Sequence, residues 1–107
     1  MRQKLEFYVR NDLSGITLTE ISQRLGYSAV YAGGIIKKLT GKTFTEYVLE
    51  KRLSRAAELL SETEMSVLEI ISELGYENGS FFRKKFTEKY GVTPYSYRKM
   101  MRRGTKK

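Results

Sequence analysis

The sequence contains no cysteine and no histidine. It therefore cannot form disulfides, thiolate nucleophiles or ordinary zinc sites, and it lacks the commonest general base of enzymes. No apolar run approaches the roughly 20 residues that a membrane-spanning helix needs, and the amino-terminal MRQKLEFYVR lacks the apolar centre of a secretory signal. We expect a cytoplasmic protein that needs no cofactor and contacts no membrane, and that is not an enzyme.

The net charge of +8 is spread unevenly over the 107 residues. The last ten, RKMMRRGTKK, carry six cations and no acid, which leaves only +2 for the rest of the chain. A basic tail alone is usually a solubilising end. Where the cations lie on the helices is therefore more informative than how many there are.

Helix boundaries are marked clearly along the chain. The S/T-x-x-E capping box, in which hydroxyl and carboxylate each satisfy a free helix amide, occurs as Thr17 with Glu20, Thr43 with Glu46, and Ser66 with Glu69. A fourth start is Thr93 before Pro94. Helix ends are marked by Gly26, Gly41, Gly75 and Gly91. These signals predict an all-α fold with seven helices, at 2–11, 18–25, 29–40, 44–61, 67–74, 79–90 and 94–102.

An internal repeat groups these helices. LTEISQRLGYS (18–28) aligns with VLEIISELGYE (67–77), and the register continues with one extra residue in the second turn. The aligned pairs include Gly26 with Gly75, Tyr27 with Tyr76, Tyr31 with Phe81, Ile36 with Phe86, and Gly41 with Gly91. Each copy has the order helix, short turn, helix, which predicts helix-turn-helix subdomains at 1–43 and 62–107 joined by a linker helix at 44–61.

The segment GYENGSFFRKKFTEKYGVTPYSYRK (75–99) resembles the second helix-turn-helix signature of the AraC/XylS family of bacterial transcription regulators. The matching elements are Gly75, Tyr76, Phe81, Phe82, Arg83 to Phe86, Gly91, Thr93, Pro94, Tyr97 and Arg98. LTEISQRLGYS, KKLTGKTFTEYV and RLSRAAELL also match, so the resemblance covers nearly the whole chain.

The resemblance implies a monomeric domain that places helices 29–40 and 79–90 in successive major grooves of double-stranded DNA. It also implies a bacterial regulator, an activator by analogy, in which an N-terminal sensing domain precedes this part. We further expect RNA polymerase as a partner. A rigid linker helix agrees with two reading helices spaced by about one turn of DNA, ~34 Å.

Helix 79–90 has one apolar and one cationic face. Phe82, Phe86 and Tyr90 recur on one stripe and should face the core. The opposite face predicts base contacts by Asn78, Ser80, Arg83, Lys84 and Thr87. Arginine suits bidentate hydrogen bonding to a guanine edge, and lysine can reach a base or a phosphate.

Helix 29–40 departs from this pattern, because Val30, Gly33 and Gly34 stand where the second copy has Ser80, Arg83 and Lys84. Two interpretations stay open. The glycines could let the backbone approach DNA while Ala29 or Val30 touches a thymine methyl. We favour the other, in which this helix mainly supplies phosphate contacts and discriminates bases little.

The predicted phosphate contacts combine lysines with two helix starts and one arginine: Lys37, Lys38, Lys42, Thr43, Thr93 and Arg98. Arg52 and Arg98 also match basic family positions, yet either could instead pair with Glu46, Glu50 or Glu58. The alternative function is a basic helical protein-interaction module that docks an acidic partner. A less favoured one is a peripheral membrane or RNA binder acting through the basic tail.

Overall fold

The computed structural model describes residues 2–105, with side chains through residue 102. Within these residues the chain forms seven α-helices and no strand: α1 (Arg2–Asn11), α2 (Leu18–Leu25), α3 (Ala29–Thr40), α4 (Phe44–Glu62), α5 (Val67–Glu73), α6 (Gly79–Tyr90) and α7 (Pro94–Thr105). The all-α prediction is confirmed, and no predicted boundary is wrong by more than three residues. None of these helices is long and apolar enough to cross a bilayer.

The helix starts follow the capping signals. Ser66 and Glu69 form a complete capping box on α5, and Thr43 and Glu46 exchange the same pair of hydrogen bonds on α4. Thr17 accepts from the Glu20 amide at α2. Such caps stabilise helix starts because the first amides of a helix have no partner within it.

The helix ends follow the glycine signals. Gly26, Gly41, Gly75 and Gly91 have φ of +81°, +76°, +93° and +79°. Residues with a Cβ adopt this left-handed conformation only with strain, so glycine stops the helix there at little cost.

The chain divides into two compact units, residues 1–51 and 52–107, and α4 contributes to both. The core of the first unit is a cluster of seven buried residues: Leu5, Val9, Ile16, Ile21, Ile36, Tyr47 and Val48. The last two, Tyr47 and Val48, come from the first half of α4.

The second unit has its own buried set. Leu53, Ala56, Ala57 and Leu60 supply it from α4, Ile70 and Ile71 from α5, and Phe82 and Phe86 from α6. Phe86 stacks against Tyr90 at 4.5 Å and meets Tyr97 of α7 edge-on at 5.4 Å between ring centroids. These aromatic contacts hold α6 and α7 together within the unit.

Candidate nucleic-acid interface

Helix α6 has one face buried in the core of its unit and an opposite face that is exposed or half-buried. Phe82 and Phe86 are 1% and 0% exposed, so these two residues of the predicted stripe lie in the core, whereas Tyr90 is half-buried. Ser80 and Lys84 are exposed, and Arg83 and Thr87 are half-buried. Because these four residues are spaced by three and four, they share one face of the helix.

The cations of α6 differ in their partners. Lys85 pairs with Glu88 at 3.5 Å and lies over the Phe81 ring, and Lys89 donates to Ser54 at 3.4 Å. Among residues 2–105, the side chains of Arg83 and Lys84 have no hydrogen-bond or ion-pair partner. Their charges are therefore available to an anionic partner, whereas Lys85 and Lys89 are engaged within the chain.

Two predicted base-contacting residues also serve the helix itself. Asn78 is the N-cap of α6, and its Oδ1 accepts from the Ser80 amide at 2.9 Å. The Thr87 hydroxyl donates to the Arg83 carbonyl at 2.8 Å. Each keeps one further hydrogen-bonding function, the amide NH₂ of Asn78 and the hydroxyl lone pairs of Thr87. Their contact with bases stays a prediction.

Helix α3, the equivalent helix of the first unit, has small and apolar residues on the face that corresponds to the cationic face of α6. Ser28 caps α3, Ala32 and Ile36 face the core, and Val30 is 89% exposed. Ala29 is exposed as well. No long polar side chain projects from the three positions that correspond to Ser80, Arg83 and Lys84.

The two glycines of α3 are not required by packing within their unit. A Cβ at Gly33 would meet only Leu18 Cδ2, at an ordinary contact distance of 3.7 Å. At Gly34 the described atoms leave open space within 4 Å. Neither glycine has a positive φ, so the backbone would also accept alanine.

Changing Gly33 and Gly34 together to alanine should raise the free energy of unfolding by about 2 kcal/mol, because alanine favours a helix interior more than glycine does. Denaturant unfolding measures the gain, and Gly41→Ala, at φ +76°, is the control that should lower stability instead. DNA affinity of the double variant then separates the two interpretations: lost binding favours close backbone approach, and retained binding favours a phosphate-contacting helix. A fall in stability would contradict the absence of close contacts at Gly33 and Gly34.

The predicted phosphate-contacting residues of the first unit lie at the end of α3 and the start of α4. Lys37 and Lys38 are exposed in the last turn of α3. Lys37, Gly33 and Thr43 are among the residues that line an open pocket of about 300 Å³. Lys42 is paired with Glu50 at 3.1 Å, so a phosphate would have to compete with that carboxylate.

The starts of α4 and α7 differ in charge. Glu46 accepts from the Thr43 amide at 2.9 Å, and that bond, with Lys37 and Lys42 nearby, holds the pKa of Glu46 below its ordinary value. An anion therefore already occupies the start of α4. The first turn of α7 has no acid, and Thr93 caps it by accepting from the Ser96 amide at 3.2 Å. The start of α7 is therefore electrostatically more favourable for an anion than the start of α4.

The capping carboxylates give an acid-sensitive contribution to stability. Hydrogen bonds from Thr43 and Ser66 lower the pKa of Glu46 and Glu69 respectively. A group with a lowered folded-state pKa stabilises the fold above the ordinary glutamate pKa, about 4.3, and this contribution is lost as pH falls through the folded value. The melting temperature should therefore decrease as the pH is lowered below about 4.5. The decrease should be less steep in the double variant Glu46→Gln with Glu69→Gln, because glutamine still accepts the capping hydrogen bond but does not titrate. Equal slopes in thermal melts from pH 6 to pH 3 would contradict this.

Arg98 contacts the backbone of its own unit. Its Nε donates to the Leu60 carbonyl at 3.0 Å and its Nη2 to the Thr63 carbonyl at 3.2 Å. Arg102, one turn later, also donates to the Thr63 carbonyl and pairs with Glu64 at 3.0 Å. The two arginines thus cap the carboxyl end of α4, a role that the sequence analysis missed. The signal available was two arginines four residues apart on one helix face.

Arg52 also acts within the second unit. Its guanidinium lies over the Tyr76 ring at 5.1 Å and donates to the Tyr76 hydroxyl at 3.1 Å. Tyr76 in turn packs against Phe82 at 5.0 Å. Of the basic tail, Lys106 and Lys107 and the side chain of Arg103 lie outside the described residues.

These two helix-turn-helix units, each with a capped second helix of twelve residues, define the class of the protein. A helix-turn-helix domain family matches residues 21–100. The chain belongs to the AraC/XylS family and is an AraC-type helix-turn-helix DNA-binding domain of transcription regulators.

Individual relatives agree with this assignment. The chain is 40% identical over 89 residues to the HTH-type transcriptional regulator YtdP of Bacillus subtilis, covering 83% of this chain and 12% of YtdP. It is 30% identical over 98 residues to the melibiose operon regulatory protein of Escherichia coli, covering 92% and 32%. The C-terminal domain of the response regulator yesN from Fusobacterium nucleatum superposes with a TM-score of 0.80 at 32% identity, covering 91% of this chain and 96% of that one. The chain thus spans a third or less of the two full-length regulators.

Proposed function

We propose that this domain reads a specific DNA sequence with α3 and α6 in successive major grooves, and that α6 does most of the reading. The observation that carries the proposal is the outward face of α6, where Arg83 and Lys84 have no partner among residues 2–105. Unpaired cations next to a hydroxyl side chain can donate to guanine edges and to phosphates. Ser80, Asn78 and Thr87 complete the reading face.

The first unit should contribute position more than sequence discrimination. Ala29 and Val30 offer apolar contact to a thymine methyl, which distinguishes bases weakly compared with a bidentate arginine. Gly33 and Gly34 present backbone only, and Lys37 and Lys38 carry exposed charge, which would contact phosphates. We therefore expect a DNA site in which one half has strong base preferences and the other half has weak ones.

The predicted phosphate-contacting residues can be ranked by whether each one already has a partner within the chain. The Thr93 end of α7 and the exposed Lys38 rank first, because no carboxylate of the described residues is paired with either of them. The exposed Lys37 follows, because the Glu46 carboxylate lies near it. Lys42 and Thr43 rank lower, since Glu50 and Glu46 bind them. Arg98 ranks last, because two of its guanidinium nitrogens donate to carbonyls.

At the level of the whole regulator, we propose a bacterial, cytoplasmic transcription activator in which a sensing domain precedes this DNA-binding part. The isolated domain would be a monomer, and RNA polymerase would be its protein partner on DNA. The support for this extension is the family membership, together with two relatives of whose length the matched part makes up only 12% and 32%.

Selection from a random duplex library at near-physiological salt tests the proposal. The expected result is an enriched motif with one well-defined half and a diffuse half about one helical turn, ~10 base pairs, away. Affinity for the enriched duplex should fall steeply with salt, as phosphate contacts require. Retention of DNA without any enriched motif would contradict sequence reading by α6, and would favour a basic module that docks an acidic protein.

A further inference from the structure

The first residue of α6, Gly79, leaves a space that the Arg83 side chain fills. A Cβ built on Gly79 would lie 3.0 Å from Arg83 Nη1, which is tighter than most real Cβ contacts, and 3.5 Å from its Cζ, which is an ordinary contact distance. Ile71 Cδ1 of α5 borders the same space at 3.7 Å. The end of the Arg83 side chain thus lies close to the point where a side chain at position 79 would begin, and an alanine there would require Arg83 Nη1 to shift by a few tenths of an ångström.

Helix geometry explains the arrangement. A side chain in an α-helix leans toward the amino terminus and covers the residue four positions earlier. Arg83 therefore leans over Gly79, and the next cation, Lys84, leans over Ser80. Arg83 is half-buried although it lies on the outward face, whereas Lys84 is exposed. The missing Cβ at position 79 gives the Arg83 side chain room to lie against the start of α6.

Resting on the proposed reading role of Arg83, we propose that Gly79 is a specificity-determining residue that fixes the position from which Arg83 reaches its base pair. A guanidinium that lies against the start of α6 has fewer conformations to lose on binding than one that moves freely in solvent. Gly79 contributes no side chain to DNA, so its effect acts entirely through Arg83.

The substitution Gly79→Ala separates this effect from folding. The φ of Gly79 is not positive, Asn78 still caps the helix, and the atom that a new Cβ would displace is the end of a flexible side chain. Alanine is also a better helix former than glycine. The variant should therefore fold with unchanged or higher thermal stability while its Arg83 guanidinium is displaced.

The test is a double-mutant cycle of Gly79→Ala and Arg83→Ala, with dissociation constants measured for the selected duplex and for duplexes changed at one base pair each. Gly79→Ala alone should weaken the selected duplex about tenfold and alter preference at the same base pair that Arg83→Ala relaxes. In the Arg83→Ala background, Gly79→Ala should change affinity less than about twofold. Gly15→Ala, outside α3 and α6, is the control and should leave binding unchanged.

Three results would overturn the proposal, and they are distinguishable. If Gly79→Ala weakens binding equally in both backgrounds, the glycine acts on DNA directly and not through Arg83. If Gly79→Ala leaves affinity unchanged while Arg83→Ala weakens binding, Arg83 reads DNA from a position that does not depend on the space at Gly79. If Arg83→Ala is itself silent, the reading role on which the proposal rests is wrong.

Discussion

Replacing Phe86 with alanine should lower the free energy of unfolding by about 3–5 kcal/mol, the usual cost of removing a buried aromatic ring. The ring is fully buried and contacts Tyr90 at 4.5 Å and Tyr97 at 5.4 Å. The loss is a large fraction of the ~5–15 kcal/mol that stabilises a typical domain. Denaturant unfolding followed by far-UV circular dichroism measures it.

Phe81→Ala is the matched control for that experiment. It removes the same ring from the same helix, but Phe81 is 44% exposed, so its removal should cost about 1 kcal/mol or less. Amide hydrogen exchange adds a second readout, because Phe86→Ala should reduce protection most within residues 52–105, which contain its packing partners. Equal costs for Phe81→Ala and Phe86→Ala would contradict the inward orientation of Phe86.

The helices were predictable because their boundary signals are local. Capping hydroxyls and acids lie within four residues of each other, and left-handed glycines end α2, α3 and α6. The errors lie where a signal is weak. The carboxyl end of α5 was predicted one residue too late, because the left-handed residue is Gly75 and Leu74 already has non-helical geometry before it. Ser28 was missed as the cap of α3 because Tyr31, and not an acid, stands three residues later.

The buried and exposed faces of α6 were equally predictable, because periodicity alone decides which residues share a face. What periodicity cannot give is the partner of a side chain that is distant in sequence. Arg98 contacts carbonyls 35 and 38 residues earlier, at the end of α4. The same limit applies to Gly79, whose meaning depends on where the end of the Arg83 side chain lies.

Replacing Arg83 with alanine should weaken binding to the selected duplex by about 1–3 kcal/mol, or roughly 5- to 150-fold, and relax the preference at one base pair. The reason is that a bidentate arginine contributes discrimination at the base it contacts, beyond its charge. In the free domain the guanidinium has no partner among residues 2–105, so its removal breaks no hydrogen bond or ion pair of the fold. Stability should therefore change little, which thermal unfolding can verify.

Lys85→Ala is the matched control, because it removes one positive charge from the same helix. Lys85 already pairs with Glu88 and lies over Phe81, so its loss should weaken all duplexes slightly and alter no base preference. The informative quantity is thus the ratio of affinities between the selected duplex and its single-base-pair variants, measured at one salt concentration. If Arg83→Ala leaves that ratio as unchanged as Lys85→Ala does, Arg83 contributes only charge, and another face of the domain reads the sequence.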